Sequence, residues 1–497
     1  MYKITSSLLF VLAVVFLSSC SIFGGNDDPN VSPTTGWSYN DPDNGGFEVV
    51  TGAEQETGPG LVLIEGGTFT MGRIQEDVMY DWNNAIRRVT VSSFYMDETE
   101  VRNIDYRMYL WWLKRVYTNY PEVRVRALPD TLVWRSPLAY NEPYVQYYFR
   151  HPSYNNYPVV GVNWLQANDY CAWRTDRVNE QILIDQGILS YDPNQLNENN
   201  FNTEAYLAGQ YEGVVSQNLP SLDPNQEERR VKLEDGILLP RYRLPTEAEW
   251  EFAAYSLKGN TFEERIFERR VYPWDGHNVR NANQKHMGEF MANFVRGRGD
   301  LMGVAGSLND NGSVTVDVKS YWPNDYGLYC MAGNVNEWVQ DVYRPLSAED
   351  VNDFNPFRGN VYTDLSRDAN GNLLTKDELG RMKTDTVQDA DVANRFNYQK
   401  GDYRNYRDGD YLSTIETTKQ WNNDTGEGSA KMYFQNPNEN EYFSLVDDNA
   451  RVIKGGSWKD RAYWLNPSTR RFLDQEAARD DLGFRCAMIR VGSPSGF

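Results

Sequence analysis

Two long stretches, residues 182–239 and 346–450, are polar and carry few apolar residues at core spacing. Structureless loops of that length are uncommon inside a compact domain. They read as insertions that decorate a smaller scaffold, so the core must come from the shorter apolar segments between them. Aromatic residues make up 14% of the chain, with 33 Tyr and 14 Trp, which is enough large apolar surface for a sizeable core. The second stretch holds Arg358-Gly359-Asn360-Val361-Tyr362 and several Tyr-Arg and Tyr-Asp pairs. Tyr and Arg are enriched at protein interfaces, and this stretch is expected to bind a partner.

The N-terminus reads as an export signal. A basic Lys3 precedes an apolar run, Leu8 to Leu17, which is followed by Ser18-Ser19-Cys20. The run is too short for a membrane span, which needs about twenty apolar residues. A short basic region, an apolar run and small residues before a cleavage point make a secretory signal. Cysteine at that point turns the expectation to lipidation of Cys20, with residues 1–19 removed. Ser21 in place of Asp favours the outer membrane, with the chain expected at its periplasmic face. Residues 20–57 are rich in Gly, Asn, Asp, Ser, Pro and Thr and are expected to be a flexible tether. The domain is expected over 58–492, with a short tail at 493–497.

The net charge of −21 argues against nucleic acid and against a basic face for anionic lipid. Beyond Cys20 there are three cysteines, Cys171, Cys330 and Cys486, far apart and without CxxC spacing. They are read as buried packing thiols and not as a zinc site.

Local patterns place the scaffold. Leu61–Ile64, Gly66-Gly67 and Thr68–Met71 predict a hairpin, and Val89–Met96 alternates like a strand. A helix is expected from about Thr99, as N-cap, to Val116, and a second from Gln166 to about Asn179, capped by Asn163 or its neighbour. Thr246 and Glu249 stand in the spacing of a capping box ahead of Trp250, Phe252 and Ala253.

Four segments then occur in order: Gly67–Gly72, Tyr242–Ala253, Tyr326–Trp338 and Val452–Trp458, the last followed by Leu482-Gly483-Phe484-Arg485-Cys486. Together they resemble the formylglycine-generating-enzyme (sulfatase-modifying factor) superfamily. The resemblance implies an α+β, C-type-lectin-like fold with little regular secondary structure. It also implies where copper chemistry would sit. Members that make formylglycine hold copper with two cysteines just after the Gly-Gly-Ser segment. Those positions here are Asp460 and Leu465, and a leucine cannot ligate a metal. Only three histidines, His151, His277 and His286, are present, without HxxxH or HxH spacing. No catalytic residue is assigned, and the chain is expected to be a pseudoenzyme.

The resemblance further implies structural calcium, which needs six to eight oxygens. The matching positions are Asn293, Phe294, Asp310 and Gly312 for one ion, and Cys330, Gly333, Val335 and Glu337 for another. Cys330 lacks the side-chain oxygen of that position. Segments such as Trp173–Glu180 and Asp341–Leu346, with the lipidation signal, are similar to the gliding-motility lipoproteins of Bacteroidetes. The J type fits best, and the K type of the type IX secretion ring is the alternative. The resemblance implies a non-catalytic structural role in gliding and type IX secretion at the outer membrane, with other secretion proteins, including the K-type lipoprotein ring, as partners. A lectin-like ligand-binding lipoprotein and a metalloenzyme of the superfamily are the other readings.

Overall fold

A computed structural model describes residues 30–50, 54–73, 84, 86–137, 139–223, 225–267, 270–295, 312, 314–343, 363–386 and 449–492. The signal segment, Cys20, Asp310, the tail and most of the 346–450 stretch lie outside these residues. The chain divides into two compact units.

The larger unit spans Gln55–Gln181, Tyr191–Gly213 and the described residues from Leu239 onward. Its strands, with the two short ones of the smaller unit counted in sequence, run β1 (Leu61–Ile64), β2 (Gly67–Met71), β3 (Arg87–Val91), β4 (Phe94–Asp97), β5 (Leu219–Pro220), β6 (Glu228–Arg229), β7 (Tyr242–Arg243), β8 (Asn336–Val342), β9 (Thr363–Leu365), β10 (Thr384–Thr386), β11 (Ala450–Lys454), β12 (Arg471–Asp474), β13 (Leu482–Gly483) and β14 (Ala487–Ile489). Its helices are α1 (Asn103–Val116), α2 (Pro121–Ala127), α3 (Glu142–Tyr147), α4 (Trp164–Asp185), α5 (Thr203–Leu207), α6 (Glu247–Tyr255) and α7 (Phe262–Ile266), α4 ending in the smaller unit. Two four-stranded sheets, β1-β4-β14-β7 and β12-β11-β8-β13, and the β2-β3 pair carry the core. This mixture of short strands and helices agrees with the α+β expectation.

The hairpin at Gly66-Gly67 forms differently from its prediction. β1 pairs with β4 and β2 pairs with β3, both antiparallel. Residues 61–71 thus face 87–97 as one bent ribbon, and β1 and β2 do not face each other. Gly66 permits the bend: a Cβ there would come within 2.3 Å of the Val91 carbonyl oxygen, and its N–H donates to Ser93 Oγ at 3.0 Å. The helix expected from Thr99 begins at Asn103, because the chain bends at Glu98 and Thr99 and Arg102 stays extended, bridging Pro158. Thr99 Oγ donates to the Glu100 carbonyl and caps nothing.

Other local signals hold. Thr246 Oγ1 accepts from Glu249 N at 3.2 Å, and Glu249 Oε2 accepts from Thr246 N at 2.9 Å. This reciprocal box satisfies two of the four unpaired N–H groups that open a helix. Asn163 and Gln166 do the same for α4. Behind α6, Phe252 meets Phe69 edge-on at 5.3 Å, and Trp250, Ile64, Met96, Val339 and Val452 fill the core between the sheets.

The smaller unit joins described residues of Met1–Glu54 with Ile182–Ser190 and Val214–Leu238. The tether expected over 20–57 is therefore partly folded. Asn40 brackets Val49 with two side-chain hydrogen bonds, and Glu48 is ion-paired to Arg229. The 182–239 insertion is likewise shared: its middle, 191–213, belongs to the larger unit. Within that unit the described part of the second insertion is docked, since Leu379 O accepts from Tyr117 Oη at 3.1 Å and Asn200 Nδ2 at 2.7 Å.

Candidate functional site

The segment after β11 turns through Gly455 and Gly456, whose φ values are +96° and +70°. Only glycine adopts such angles at low cost, and space is also closed. A Cβ on Gly455 would meet the Trp250 ring at 3.1 Å, and one on Gly456 the Trp464 carbonyl at 2.7 Å. This turn delivers Ser457 through Leu465 to one end of the β8-β11 pair.

The two positions expected to replace copper ligands are filled in opposite ways. Asp460 is 9% exposed and sits in a saturated polar network. Arg471 donates to both its oxygens, at 2.7 and 2.6 Å, and Ser457 Oγ donates at 2.7 Å. Asn336 Nδ2 contacts it at 3.3 Å and links it to Asp481, which is itself held by Arg479 at 2.7 and 2.6 Å. Burial alone raises a carboxylate pKa, but Arg471, Ser457 and Asn336 more than offset it and hold Asp460 below its usual range. The Arg471 guanidinium also lies 4.4 Å over the Trp464 ring. Leu465, by contrast, is fully buried with Tyr272, Phe290, Ala292, Phe294 and Ala332. One thiolate position is an ion pair, and the other is apolar core.

The calcium positions divide similarly. Asn293 Nδ2 donates to Val314 O at 2.7 Å, and its carbonyl accepts from Asn334 N at 2.9 Å. Gly333, at φ +77°, is pressed against that same carbonyl, where a Cβ would come within 2.4 Å. Asn293, buried Phe294 and the 312–316 loop are thus brought together, while Asp310 lies outside the described residues. The second set does not fit an ion. Both Glu337 oxygens are taken: Arg485 donates to them at 2.7 and 2.6 Å, and Trp250 Nε1 donates to Oε2 at 2.8 Å. Cys330 offers a thiol, which contacts Val318 O at 3.4 Å. Of the positions Cys330, Gly333, Val335 and Glu337, the second set therefore offers a carboxylate already bound by arginine and a thiol in place of a side-chain oxygen. Among the histidines, His151 caps a surface turn and His286 pairs with Glu289 beside Trp322.

Sequence reasoning missed the charges that hold this region. Lys454 is 1% exposed yet ends β11 between Glu247 at 3.3 Å and Glu251 at 3.1 Å, and Arg470 reaches Glu247 at 2.7 Å. Burial opposes ionisation of Glu247, but Arg470, Lys454 and Arg87 bring it down to about 2. A lysine closing the apolar run Val452-Ile453 was the visible signal. Glu100, 1% exposed, was also missed. Its Oε1 accepts from Asn334 Nδ2 at 2.9 Å, while Oε2 has no hydrogen-bond partner among the described residues.

Burial, with the charge of Glu337, pushes Glu100 up to about 8 against the opposing pull of Arg485. The folded state therefore holds a proton that the unfolded chain releases near 4.5. This group's contribution to stability is full below about 4.5 and is lost as pH rises through about 8. Thermal melts from pH 4 to 9 are expected to show that decline in the native chain and a flatter profile for Glu100→Gln. Parallel profiles for the two would remove Glu100 as the cause.

Comparison with known proteins gives the family. The model of the sulfatase-modifying factor enzyme 1-like domain matches residues 46–489. The mouse formylglycine-generating enzyme is 26% identical over 304 residues, 56% of this chain and 58% of that protein. The mouse inactive C-alpha-formylglycine-generating enzyme 2 is 25% identical over 315 residues, 59% of this chain and 71% of that one. The chain thus spans under three fifths of the mouse enzyme it matches. Among solved structures, PvdO from Pseudomonas aeruginosa aligns over 86% of this chain and 94% of its own, at 14% identity and a TM-score of 0.40. Relatives include both active and inactive proteins. With the family match covering most of its length, this chain belongs to the sulfatase-modifying factor enzyme 1-like domain family.

Proposed function

We propose that this chain is a non-catalytic scaffold, a lipoprotein of the gliding-motility and type IX secretion machinery at the outer membrane. The observation that carries the non-catalytic part is the filling of both copper positions, by the Asp460–Arg471 ion pair and by buried Leu465. A Cu(I) site needs soft thiolate ligands, and neither side chain supplies one. The inactive mammalian relatives are consistent with a family fold kept without that chemistry. The assignment to gliding and secretion, to a lipid on Cys20, to the periplasmic face and to a K-type lipoprotein ring as partner rests on the sequence resemblance.

Purified chain, supplied with Cu(I) and a cysteine-containing peptide, is expected to leave the thiol unoxidised and to retain no stoichiometric copper. Aldehyde formation would overturn the scaffold reading. Deletion in the source organism is expected to abolish gliding and adhesin secretion, and undiminished gliding would remove the cellular assignment.

One structural calcium is part of the proposal, held by Asn293, the carbonyls of Phe294 and Gly312, and Asp310. Calorimetry is expected to detect it, with a calcium-dependent rise in melting temperature that Asn293→Ala diminishes. Absence of both heat and thermal shift in the native chain would exclude the ion.

A further inference from the structure

The solvent face of α1 is apolar. Ile104, Met108 and Trp111 are 40%, 55% and 58% exposed, at i, i+4 and i+7, which sets them in one stripe. The opposite side of the helix, with Tyr106, Tyr109 and Leu113, is in the core. Cationic side chains edge the stripe. Arg115 lies 4.9 Å over the Trp111 ring, Lys114 is exposed one turn on, and Arg107 donates to the Arg150 carbonyl at 2.6 Å. That last bond ties the stripe to the end of α3, where Tyr147 is 52% exposed.

The charge of this region opposes that of the chain. Residues 102–150 hold eight Lys/Arg and four Asp/Glu, a net +4 in a chain of −21. Two of those acids are already neutralised, Asp105 by Arg102 and Glu142 by Arg135. Eight of the 22 exposed large hydrophobic residues among the described ones fall within residues 104–147. The whole-chain charge, which argued against a basic face for anionic lipid, conceals this concentration.

We propose that the α1 stripe rests on an anionic lipid surface. Trp and Met enter the headgroup boundary while neighbouring Lys and Arg reach the phosphates, the division of labour of interfacial helices. Each cation near such a surface adds attraction that dies away within a Debye length, so a local +4 acts where a distant negative charge does not. The three side chains offer roughly 300 Å² of exposed surface, well short of the about 800 Å² per partner of a stable protein interface. Shallow insertion with charge attraction needs no such area. The contact is independent of any acyl chain on Cys20, and it would orient a tethered domain.

The test uses the full chain carrying Cys20→Ser, so that no acyl chain contributes, in flotation with phosphatidylglycerol-containing and pure phosphatidylcholine vesicles. Binding to the anionic vesicles is expected to be about tenfold stronger and to weaken with salt. Met108→Ser with Trp111→Ser is expected to lose about tenfold, Lys114→Glu a few-fold, and Met287→Ser, exposed elsewhere, nothing. Brominated phosphatidylglycerol should quench part of the tryptophan emission, and Trp111→Phe should abolish that part. Equal binding by native and double-variant protein with matching thermal melts overturns the proposal. So does stripe-dependent self-association in sedimentation without vesicle binding. If the double variant does not fold, Lys114→Glu and the quenching decide.

Discussion

Arg485→Met is expected to destabilise the folded chain by about 3–5 kcal/mol, the cost of removing one member of a buried ion pair. Arg485 and Glu337 are both fully buried, and the two bonds between them measure 2.6 and 2.7 Å. Burial acts to lower the arginine's pKa, and the charge of Glu337 reverses that and holds it above its ordinary value. The guanidinium also donates to the carbonyls of Asp97 at 3.2 Å and Tyr329 at 2.9 Å, so its loss strips partners from the end of β4 and from the loop at Tyr329 as well. Methionine keeps the bulk and deletes the charge. Glu337 would then be a buried carboxylate without a counter-charge, beside a Glu100 that already holds its proton. Adding Glu337→Gln should recover part of the loss, because the stranded charge is removed too. Denaturant unfolding reads both effects. A single-variant loss under about 1 kcal/mol would mean the pair contributes nothing beyond its hydrophobic replacement.

A disulfide between Cys171 and Cys486 is expected when the chain folds under oxidising conditions, raising stability by about 2–4 kcal/mol. The two sulfurs lie 3.3 Å apart, 315 residues distant in sequence, and both residues are buried. In the structure they are free thiols. Burial and the neighbouring Cys171 push the Cys486 thiol well above its ordinary pKa, so little thiolate exists in the folded state. Exchange needs thiolate and access, so the bond should form during folding and hardly at all on reduced native protein. Peptide mapping without reductant would identify it, and denaturation with and without reductant would measure its effect. Protein refolded with a disulfide-exchange buffer that still carried three reactive thiols would refute the pairing. The Cys330 thiol meets Val318 O at 3.4 Å, and Cys330 is expected to stay reduced.

What the sequence disclosed was local or chemical. The capping box at Thr246 and Glu249 is a three-residue pattern and formed as expected. Gly455-Gly456 beside a ring is a steric demand written in adjacent letters. That neither 460 nor 465 carries a thiol was legible because residue type alone decides ligation. Pairings across the chain were not legible. Nothing near Gly66 says that β1 will bond to β4 across thirty residues. Nothing beside Arg471 or Arg485 in the chain names the carboxylate that each will meet. Residues 30–50 looked like linker because their composition lacks a core, yet they find partners in a distant insertion segment. The stripe on α1 was hidden for a different reason: its helical periodicity marks the buried face, and an apolar outer face reads as more of the same.

Asp460 and Arg471 also constrain the chain's descent. A change at either leaves its companion charged in a largely buried site. A cysteine placed at 460 would meet an arginine deprived of its carboxylate, and one at 465 would hollow out a packed cluster. A single step to a thiol is disfavoured at both positions, by a stranded charge at 460 and by a cavity at 465, so neither is reached without a compensating change.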